Sequence, residues 1–193
     1  MHPMRIFVTI EGLSGSGKTT IAQLLAEHLE AEYYKTPPAI FAPIRQSIDR
    51  SANRVARYLY YYAGIVQASA EIEVLLKRRS VVCDKYLATV LAYSRAFGAN
   101  AATATADLVV APSASFFLDL PDELRMERIT QRERITREHR TFLEMELTYA
   151  VRLQFQRLGL VSIDNSDSDP ATALATIMRH LQELEVALTQ SQW

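Results

Sequence analysis

The sequence contains a single cysteine, Cys83, among its 193 residues. One cysteine can form neither an internal disulfide nor a cysteine-rich metal site, and this scarcity is typical of a reducing compartment. The four histidines are scattered without the spacing of metal ligands. We therefore exclude disulfide-stabilised and structural-zinc scaffolds and expect a cytoplasmic protein.

Long apolar runs and an excess of one charge are also missing. No stretch approaches the ~20 apolar residues of a membrane span, and the first residues lack the apolar core of a signal peptide. The formal net charge is −1, which gives no general attraction to nucleic acid or to an anionic membrane. We expect a small-molecule partner, with no nucleic acid and no membrane.

The chain is 49% hydrophobic, which is enough to bury one core, and no repeat or linker divides it. Strands are predicted at residues 6–10, 80–83 and 160–163. Another strand is predicted immediately before a proline-containing loop at 34–43, and one or two more at 108–110 and 115–118. Helices are predicted at 19–30, 44–76, 87–97, from 121, and at 142–158 and 170–188. This alternation predicts a single α/β domain over residues 1–193, a doubly wound parallel sheet of about five strands.

Glycine is scarce, yet three of the chain's six glycines fall within residues 12–19. That segment reads GLSGSGKT and matches GxxxxGK(S/T) between a predicted strand and a predicted helix. Glycines let backbone N–H groups curl around phosphate oxygens, and the helix N-terminus adds its positive dipole end. The lysine would neutralise the β and γ phosphates, and the following hydroxyl would bind magnesium. The pattern predicts a site for ATP with Mg²⁺ formed by Gly12, Leu13, Ser14, Gly15, Ser16, Gly17, Lys18, Thr19 and Thr20.

Three segments together resemble the thymidylate kinase family, a branch of the nucleoside monophosphate kinases. They are residues 10–20, the sequence VVCDKYLATVLAY at 81–93, and FLDLP at 117–121 with the arginines that follow. The resemblance extends over nearly the whole chain and implies ATP-dependent phosphorylation of dTMP or a related pyrimidine nucleotide. It implies that Asp84, at a strand end beside the nucleotide crevice, holds magnesium or orients the acceptor, and that Lys85 reaches the phosphates. An ordinary charged pair capping a strand is the alternative.

Five arginines lie within residues 128–140, interleaved with glutamates. Alone they would predict a solvated helix with i,i+4 charge pairs. Beside a glycine loop that offers no arginine, they instead predict a lid that stabilises the transferred phosphoryl group, an effect of ~10³–10⁵ in rate for an arginine finger. We expect the lid at about residues 128–140, with Arg128 on ATP, Arg132 and Arg137 as catalytic groups, and Arg134 able to replace either.

The resemblance further implies an acceptor pocket between the strand-end segment, the proline-containing loop and the tyrosine-rich helix. Arg45 could bind the acceptor phosphate, with a surface salt bridge as an equal alternative. At most two tyrosines of the cluster at 58–62 can face a pocket, since a helix also presents a face to the core. The resemblance also implies a homodimer, in which the apolar face of this helix could bury against its twin. The implied acceptor contacts are Glu11, Pro37, Arg45, Tyr61, Tyr62, Gln67, Lys85, Tyr86 and Tyr93.

Three departures from the family pattern fall on the acceptor side. Lys85 replaces the usual arginine and loses its planar fork, Ser14 replaces a carboxylate, and Gly64-Ile65 stand where the family's helix offers an arginine. Two alternatives therefore stay open: a kinase of a nucleoside or specialised metabolite, and a nucleotide-binding protein without transfer activity.

Overall fold

The computed structural model describes residues 5–99, 108–133 and 142–190, with side chains over 5–99, 108–131 and 147–187. Five parallel strands form one sheet in the order β2-β3-β1-β4-β5. The strands are β1 (Phe7–Gly12), β2 (Glu32–Lys35), β3 (Val81–Asp84), β4 (Ala114–Asp119) and β5 (Val161–Asp164). The predicted α/β class and strand number are confirmed. Because β1 is central, its carboxyl end opens between the ends of β3 and β4, where such sheets bind ligands.

Helices cover both faces of the sheet. Val8 and Ile10 of β1 pack on one face with apolar residues of α1 and α7, while Phe7 faces α3 on the other. None of the helices in the described ranges is both long and apolar enough to cross a lipid bilayer. The helices are α1 (Lys18–His28), α2 (Ala42–Ser51), α3 (Arg54–Leu76), α4 (Leu87–Ala96), α5 (Asp122–Glu133), α6 (Phe142–Arg157) and α7 (Pro170–Gln190), with a 3-10 turn at Ala39–Phe41.

The segment 44–76 is mostly helical, as predicted, and the structure divides it into two helices. Asn53 has an extended backbone, and its Oδ1 accepts a hydrogen bond of 2.9 Å from the Ala56 N–H, so it caps a new helix. The preceding helix α2 begins earlier than predicted and contains Pro43 in its first turn, where proline is tolerated.

The predicted strand at 108–110 is absent. The Val110 N–H donates to Ser69 Oγ at 2.7 Å, and the Val110 carbonyl accepts from the Tyr86 hydroxyl at 3.2 Å. These backbone groups are satisfied by side chains of α3 and of the segment after β3, so they are not free to join the sheet.

Candidate active site

The segment between β1 and α1 forms a tight loop that only glycine permits at three positions. Gly12, Gly15 and Gly17 have φ values of 147°, 83° and 87°. A Cβ atom at Gly15 would lie 2.6 Å from Ile129 Cγ1, and one at Gly17 would lie 2.6 Å from Asn165 Nδ2. Gly17 precedes α1 and offers no side-chain cap, so the first N–H groups of that helix can bind an anion.

Lys18 is the buried cation of this loop. It is 6% exposed, its Nζ donates to the Leu13 carbonyl, and it lies 3.4 Å from Ser16 Oγ. Burial, and then repulsion from Lys85, lower the pKa of Lys18 to about 7. A phosphate beside Lys18 would favour its charged form, so the loop is suited to an anionic ligand.

Asp84 closes the other side of the loop at the end of β3. Its fully buried carboxylate accepts hydrogen bonds at Oδ2 from Thr19 Oγ1 at 2.6 Å and from the Tyr33 hydroxyl at 3.3 Å. Its Oδ1 is buried with no hydrogen-bond partner in the described chain. An orphan carboxylate oxygen beside a loop hydroxyl fits magnesium, which uses one or two carboxylates together with substrate phosphates. Thr19 and Asp84 are the residues that would hold it.

Lys85 follows in a left-handed backbone conformation, with φ of 69°, which costs a non-glycine residue on the order of 1–2 kcal/mol. Its N–H donates to the Ile10 carbonyl at 3.1 Å, and its carbonyl accepts from Thr36 Oγ1 at 3.0 Å. Burial lowers the pKa of the Lys85 amine, an effect that Asp84 opposes. The constrained backbone places the Lys85 side chain in the cleft beside the phosphate loop.

A cleft of about 900 Å³ extends from the phosphate loop to the first turns of α3 and the end of α4. Among described residues, Asp49 is the only carboxylate that lines it, and Asp49 is already engaged by Arg45 at 3.6 Å and by the Tyr61 hydroxyl at 2.7 Å. The cleft is therefore strongly cationic and suits two phosphorylated ligands. Its cationic residues are Lys18, Lys35, Arg45, Arg54, Arg57, Lys85 and Arg128.

Most of the predicted binding residues line this cleft. Of the tyrosines at 58–62, two do so, Tyr58 and Tyr61, which agrees with the expected limit of two. The predicted residues in the cleft wall are Gly12, Ser14, Gly15, Gly17, Lys18, Thr19, Thr20, Pro37, Arg45, Tyr61, Lys85, Tyr86, Tyr93 and Arg128.

Some predicted contacts are not part of the cleft wall. Leu13 and Ser16 are buried beneath the loop. Tyr62 stacks on Tyr58, with ring centroids 5.7 Å apart. Gln67 Nε2 donates to Glu71 Oε1 at 2.8 Å, outside the cleft. Contacts of these side chains with a ligand stay predictions.

Glu11, another predicted acceptor contact, lies behind the loop. Burial raises the pKa of its carboxyl, while hydrogen bonds from Thr89 oppose the increase. Its Oε2 accepts from the Thr89 N–H at 3.1 Å and from Thr89 Oγ1 at 2.5 Å. In this structure Glu11 joins β1 to α4, the helix that carries Tyr93.

The arginine-rich segment is described only in part. Arg128 lines the cleft, and its Nη2 donates to the Asp167 carbonyl at 2.9 Å. The side chain of Arg132, and the residues Arg134, Arg137 and Arg140, lie outside the described parts of the chain. The catalytic roles of Arg132 and Arg137 stay predictions.

Two residues that hold the loop were not predicted from the sequence. Asn165 is 5% exposed and donates from Nδ2 to the Ser16 carbonyl at 2.8 Å. Arg125 is 4% exposed and donates from Nη1 to the Ser14 carbonyl at 3.0 Å. The position of Asn165 directly after β5 was an available signal, because strand ends of parallel sheets carry binding residues. Arg125 carried no such signal in the sequence, since an arginine in a helix is expected to face solvent.

The sheet, the glycine loop with its lysine and the adjoining Thr19–Asp84 pair define a P-loop phosphotransferase fold. The family model described as thymidylate kinase matches residues 10–173. The chain therefore belongs to the thymidylate kinase family.

Individual relatives agree with this assignment. The chain is 28% identical over 163 residues to a probable thymidylate kinase of Methanococcus vannielii, covering 81% of this chain and 79% of the relative. It is 26% identical over 200 residues to a thymidylate kinase of Thermosipho africanus, covering 92% and 100%. The fold matches a crystal structure of thymidylate kinase from Ehrlichia chaffeensis with a TM-score of 0.73 at 21% identity, covering 93% and 100% of the two chains.

Proposed function

We propose that this protein transfers the γ-phosphoryl group of ATP to dTMP, forming dTDP and ADP. Membership of the family makes it a nucleoside monophosphate kinase, and the family implies nucleotide substrates with ATP and Mg²⁺. The observation that carries the proposal is one cleft whose wall carries cations both at the phosphate loop and on the elements around it. Lys18 and Arg128 lie at the phosphate loop, and Lys35 of β2, Arg45 of α2 and Lys85 after β3 line the same cleft.

The charges of the cleft favour a monophosphate over an unphosphorylated nucleoside as acceptor. A nucleoside hydroxyl must lose a proton during transfer, which usually requires a general base such as an aspartate. The described cleft wall offers only Asp49, which is bonded to Arg45 and Tyr61. A phosphate monoester has a second pKa of about 6 and is already ionised near neutral pH. It needs cations to hold it, and these are present.

The residues at and around the phosphate loop have distinct roles in this reaction. Lys18 and the N–H groups of α1 bind the terminal phosphates of ATP, and Arg45 and Lys85 hold the acceptor phosphate in line with them. Magnesium, held by Thr19 and Asp84, would neutralise charge on the β and γ oxygens. Tyr33 and Thr19 fix the Asp84 carboxylate through Oδ2, and Oδ1 is left without a hydrogen-bond partner in the described chain.

A coupled assay of ADP release tests the acceptor class. Purified protein with Mg·ATP should release ADP with dTMP and, more slowly, with other pyrimidine monophosphates, but not with thymidine. Turnover on nucleosides without turnover on monophosphates would select the metabolite-kinase alternative. ATP binding with no acceptor-dependent release would select the binding-protein alternative.

We also propose that the protein forms a homodimer through α3. Its apolar residues Val55, Leu59 and Val74 are 53%, 55% and 55% exposed and lie on the side of α3 opposite to the cleft. An apolar stripe of this kind along a helix suits an isologous contact with a second copy. The cytoplasmic location stays a prediction from the sequence.

A further inference from the structure

Glu11 places a fully buried carboxyl group at the carboxyl end of the central strand β1. It is 0% exposed, so its side chain has no surface in the cleft. Side chains of a strand alternate between the two faces of the sheet, and Glu11 therefore shares the face of Phe7, which α3 and α4 cover. Its Oε1 has no hydrogen-bond partner in the described chain. A carboxyl group that is buried and only partly paired costs stability, so its presence requires an explanation.

The first turn of α4 has no capping side chain of its own. Tyr86 precedes the helix but makes no side-chain cap, and its hydroxyl donates to the Val110 carbonyl at 3.2 Å. Glu11 takes this place, because its Oε2 accepts from the Thr89 N–H at 3.1 Å and from Thr89 Oγ1 at 2.5 Å. Thr89 is the third residue of α4, whose N–H a capping side chain ordinarily binds. Glu11 thus caps α4 from a different element of the fold.

The capped helix forms one wall of the cleft. A second contact joins this wall to the phosphate loop, since the Ser14 backbone is hydrogen-bonded to the Tyr93 side chain and thereby opposes the increase that burial causes in the Tyr93 pKa. The position of α4 relative to the loop consequently depends on two contacts, one at Thr89 and one at Tyr93. The residues of this wall are Thr89, Val90, Tyr93 and Ser94, with Phe97 just after the helix.

No slack separates Glu11 from the phosphate loop. The next residue is Gly12, where a Cβ atom would lie 2.7 Å from Ser16 Oγ and 2.8 Å from the Leu118 carbonyl oxygen. Strand β1 is also paired on both sides, with β3 and with β4. A change in the contact between Glu11 and Thr89 therefore moves α4, because the loop and β1 are held in place.

We propose that Glu11 is a positioning residue, which sets the separation between the donor phosphates at the loop and the acceptor held against the α4 wall. The inference deepens the proposed function and rests on it, because it assumes an acceptor in the cleft beside Lys18. Phosphoryl transfer is sensitive to this separation, since a displacement of about 1 Å can cost about 100-fold in rate. Binding of ATP alone depends on the loop and on the N–H groups of α1, and it does not require the α4 wall.

Three substitutions at Glu11 separate the geometry of the cap from its charge. Glu11→Gln keeps an accepting oxygen at full reach and loses the charge. Glu11→Asp keeps the charge but is shorter by one methylene group, and Glu11→Met fills the space without an acceptor. The control Leu181→Ala removes a buried side chain of α7 from the opposite face of the sheet, so it lowers stability without touching α4.

The measurements are kcat and KM with dTMP, the Kd of ATP without acceptor, and the melting temperature, with activity assayed well below the lowest melting temperature. Glu11→Met and Glu11→Asp should lower kcat about 10- to 100-fold, and the Kd of ATP should stay within about 2-fold of the native value. Glu11→Gln should keep kcat within about 3-fold, because its amide oxygen accepts both bonds from Thr89. Leu181→Ala should lower the melting temperature and leave kcat within about 2-fold. The Asp and Gln variants carry the test if Glu11→Met fails to fold.

A loss of kcat in Glu11→Gln at least as large as in Glu11→Asp would assign the role to charge and overturn the inference. A weaker Kd of ATP that accounts for the whole loss would show a distorted donor loop and overturn it as well. Variants that match Leu181→Ala in kcat, in an enzyme active on dTMP, would show that Glu11 only supports the fold and would leave the proposed function intact. A native protein that transfers phosphate to no acceptor would remove the proposed function, and the inference with it.

Discussion

At the scale of single residues, the protonation state of Lys18 determines how the loop responds to its ligand. Burial lowers the pKa of Lys18 to about 7, so the amine is mostly neutral in the free protein at pH 8. The phosphates of ATP favour the charged form and raise that pKa in the complex. Binding at pH 8 should therefore take up protons, and the affinity for ATP should decline as the pH rises above about 7.

Calorimetry of ATP binding at pH 8, in two buffers of different ionisation enthalpy, measures this uptake. We expect up to about one proton per site. Lys85 also has a lowered pKa, so Lys85→Arg serves as the control that removes its contribution. Uptake that persists in Lys85→Arg belongs to Lys18, and an absence of uptake in both proteins would contradict the buried, neutral amine.

The sequence predicted those residues whose chemistry is contained in a local motif. Gly12, Lys18 and Thr19 follow from one pattern of eight residues, and Asp84 follows from its place at a strand end. Arg57 and Arg125 reach the cleft and its phosphate loop from positions distant in sequence, through the packing of α3 and α5. Their side chains are ordinary in their own segments, so no local pattern marks them.

At the scale of elements, α5 and α6 are joined to the phosphate loop by a chain of ion pairs. In α6, Arg152 Nε lies 2.9 Å from Asp119 Oδ1, and Arg152 Nη1 lies 2.8 Å from Asp122 Oδ2. Asp122 Oδ1 in turn lies 2.9 Å from Arg125 Nε, and Arg125 Nη1 donates a hydrogen bond to the Ser14 carbonyl. Burial raises the pKa of Asp122, but hydrogen bonds from Arg152 and Arg125 outweigh it and lower the pKa overall. The loop is thus held by the two helices that flank the predicted lid.

Arg152→Met should destabilise the protein by roughly 1–3 kcal/mol, because two carboxylates lose a partly buried partner. Denaturant unfolding measures this change, with Arg157→Met as a matched control on an exposed position of α6. The lowered pKa of Asp122 implies that the network stabilises the protein above the ordinary pKa of aspartate and that this is lost as the pH falls. The difference between Arg152→Met and the native protein should therefore be smaller at pH 3 than at pH 7. An equal difference at both values would assign the loss to packing alone.

The spacing of apolar residues in the sequence does not determine where every helix and strand begins and ends. The apolar spacing over 44–76 fits a helix throughout, and only the cap formed by Asn53 reveals the break. Residues 108–110 are apolar enough for a strand, but Ser69 and Tyr86 satisfy the backbone of Val110 from other elements. Such tertiary hydrogen bonds are absent from any local pattern.

At the scale of the whole molecule, the exposed stripe on α3 is expected to bury against a second copy. Leu59 is 55% exposed and lies away from the cleft. Leu59→Arg should place like charges on both sides of a two-fold contact and shift the protein towards monomer. Sedimentation velocity measures the effect, and Gln182→Arg, on an exposed position of α7, is the control. A native protein that sediments as a monomer at high concentration would refute the dimer.

Phosphorus NMR of the reaction follows the proposed transfer of a phosphoryl group from ATP to dTMP. Native protein with ATP, Mg²⁺ and dTMP should produce the resonances of ADP and dTDP in equal amounts, and Lys18→Ala should produce neither while remaining folded. ADP with inorganic phosphate and no dTDP, or an unchanged spectrum with the native protein, would contradict the proposed transfer to dTMP.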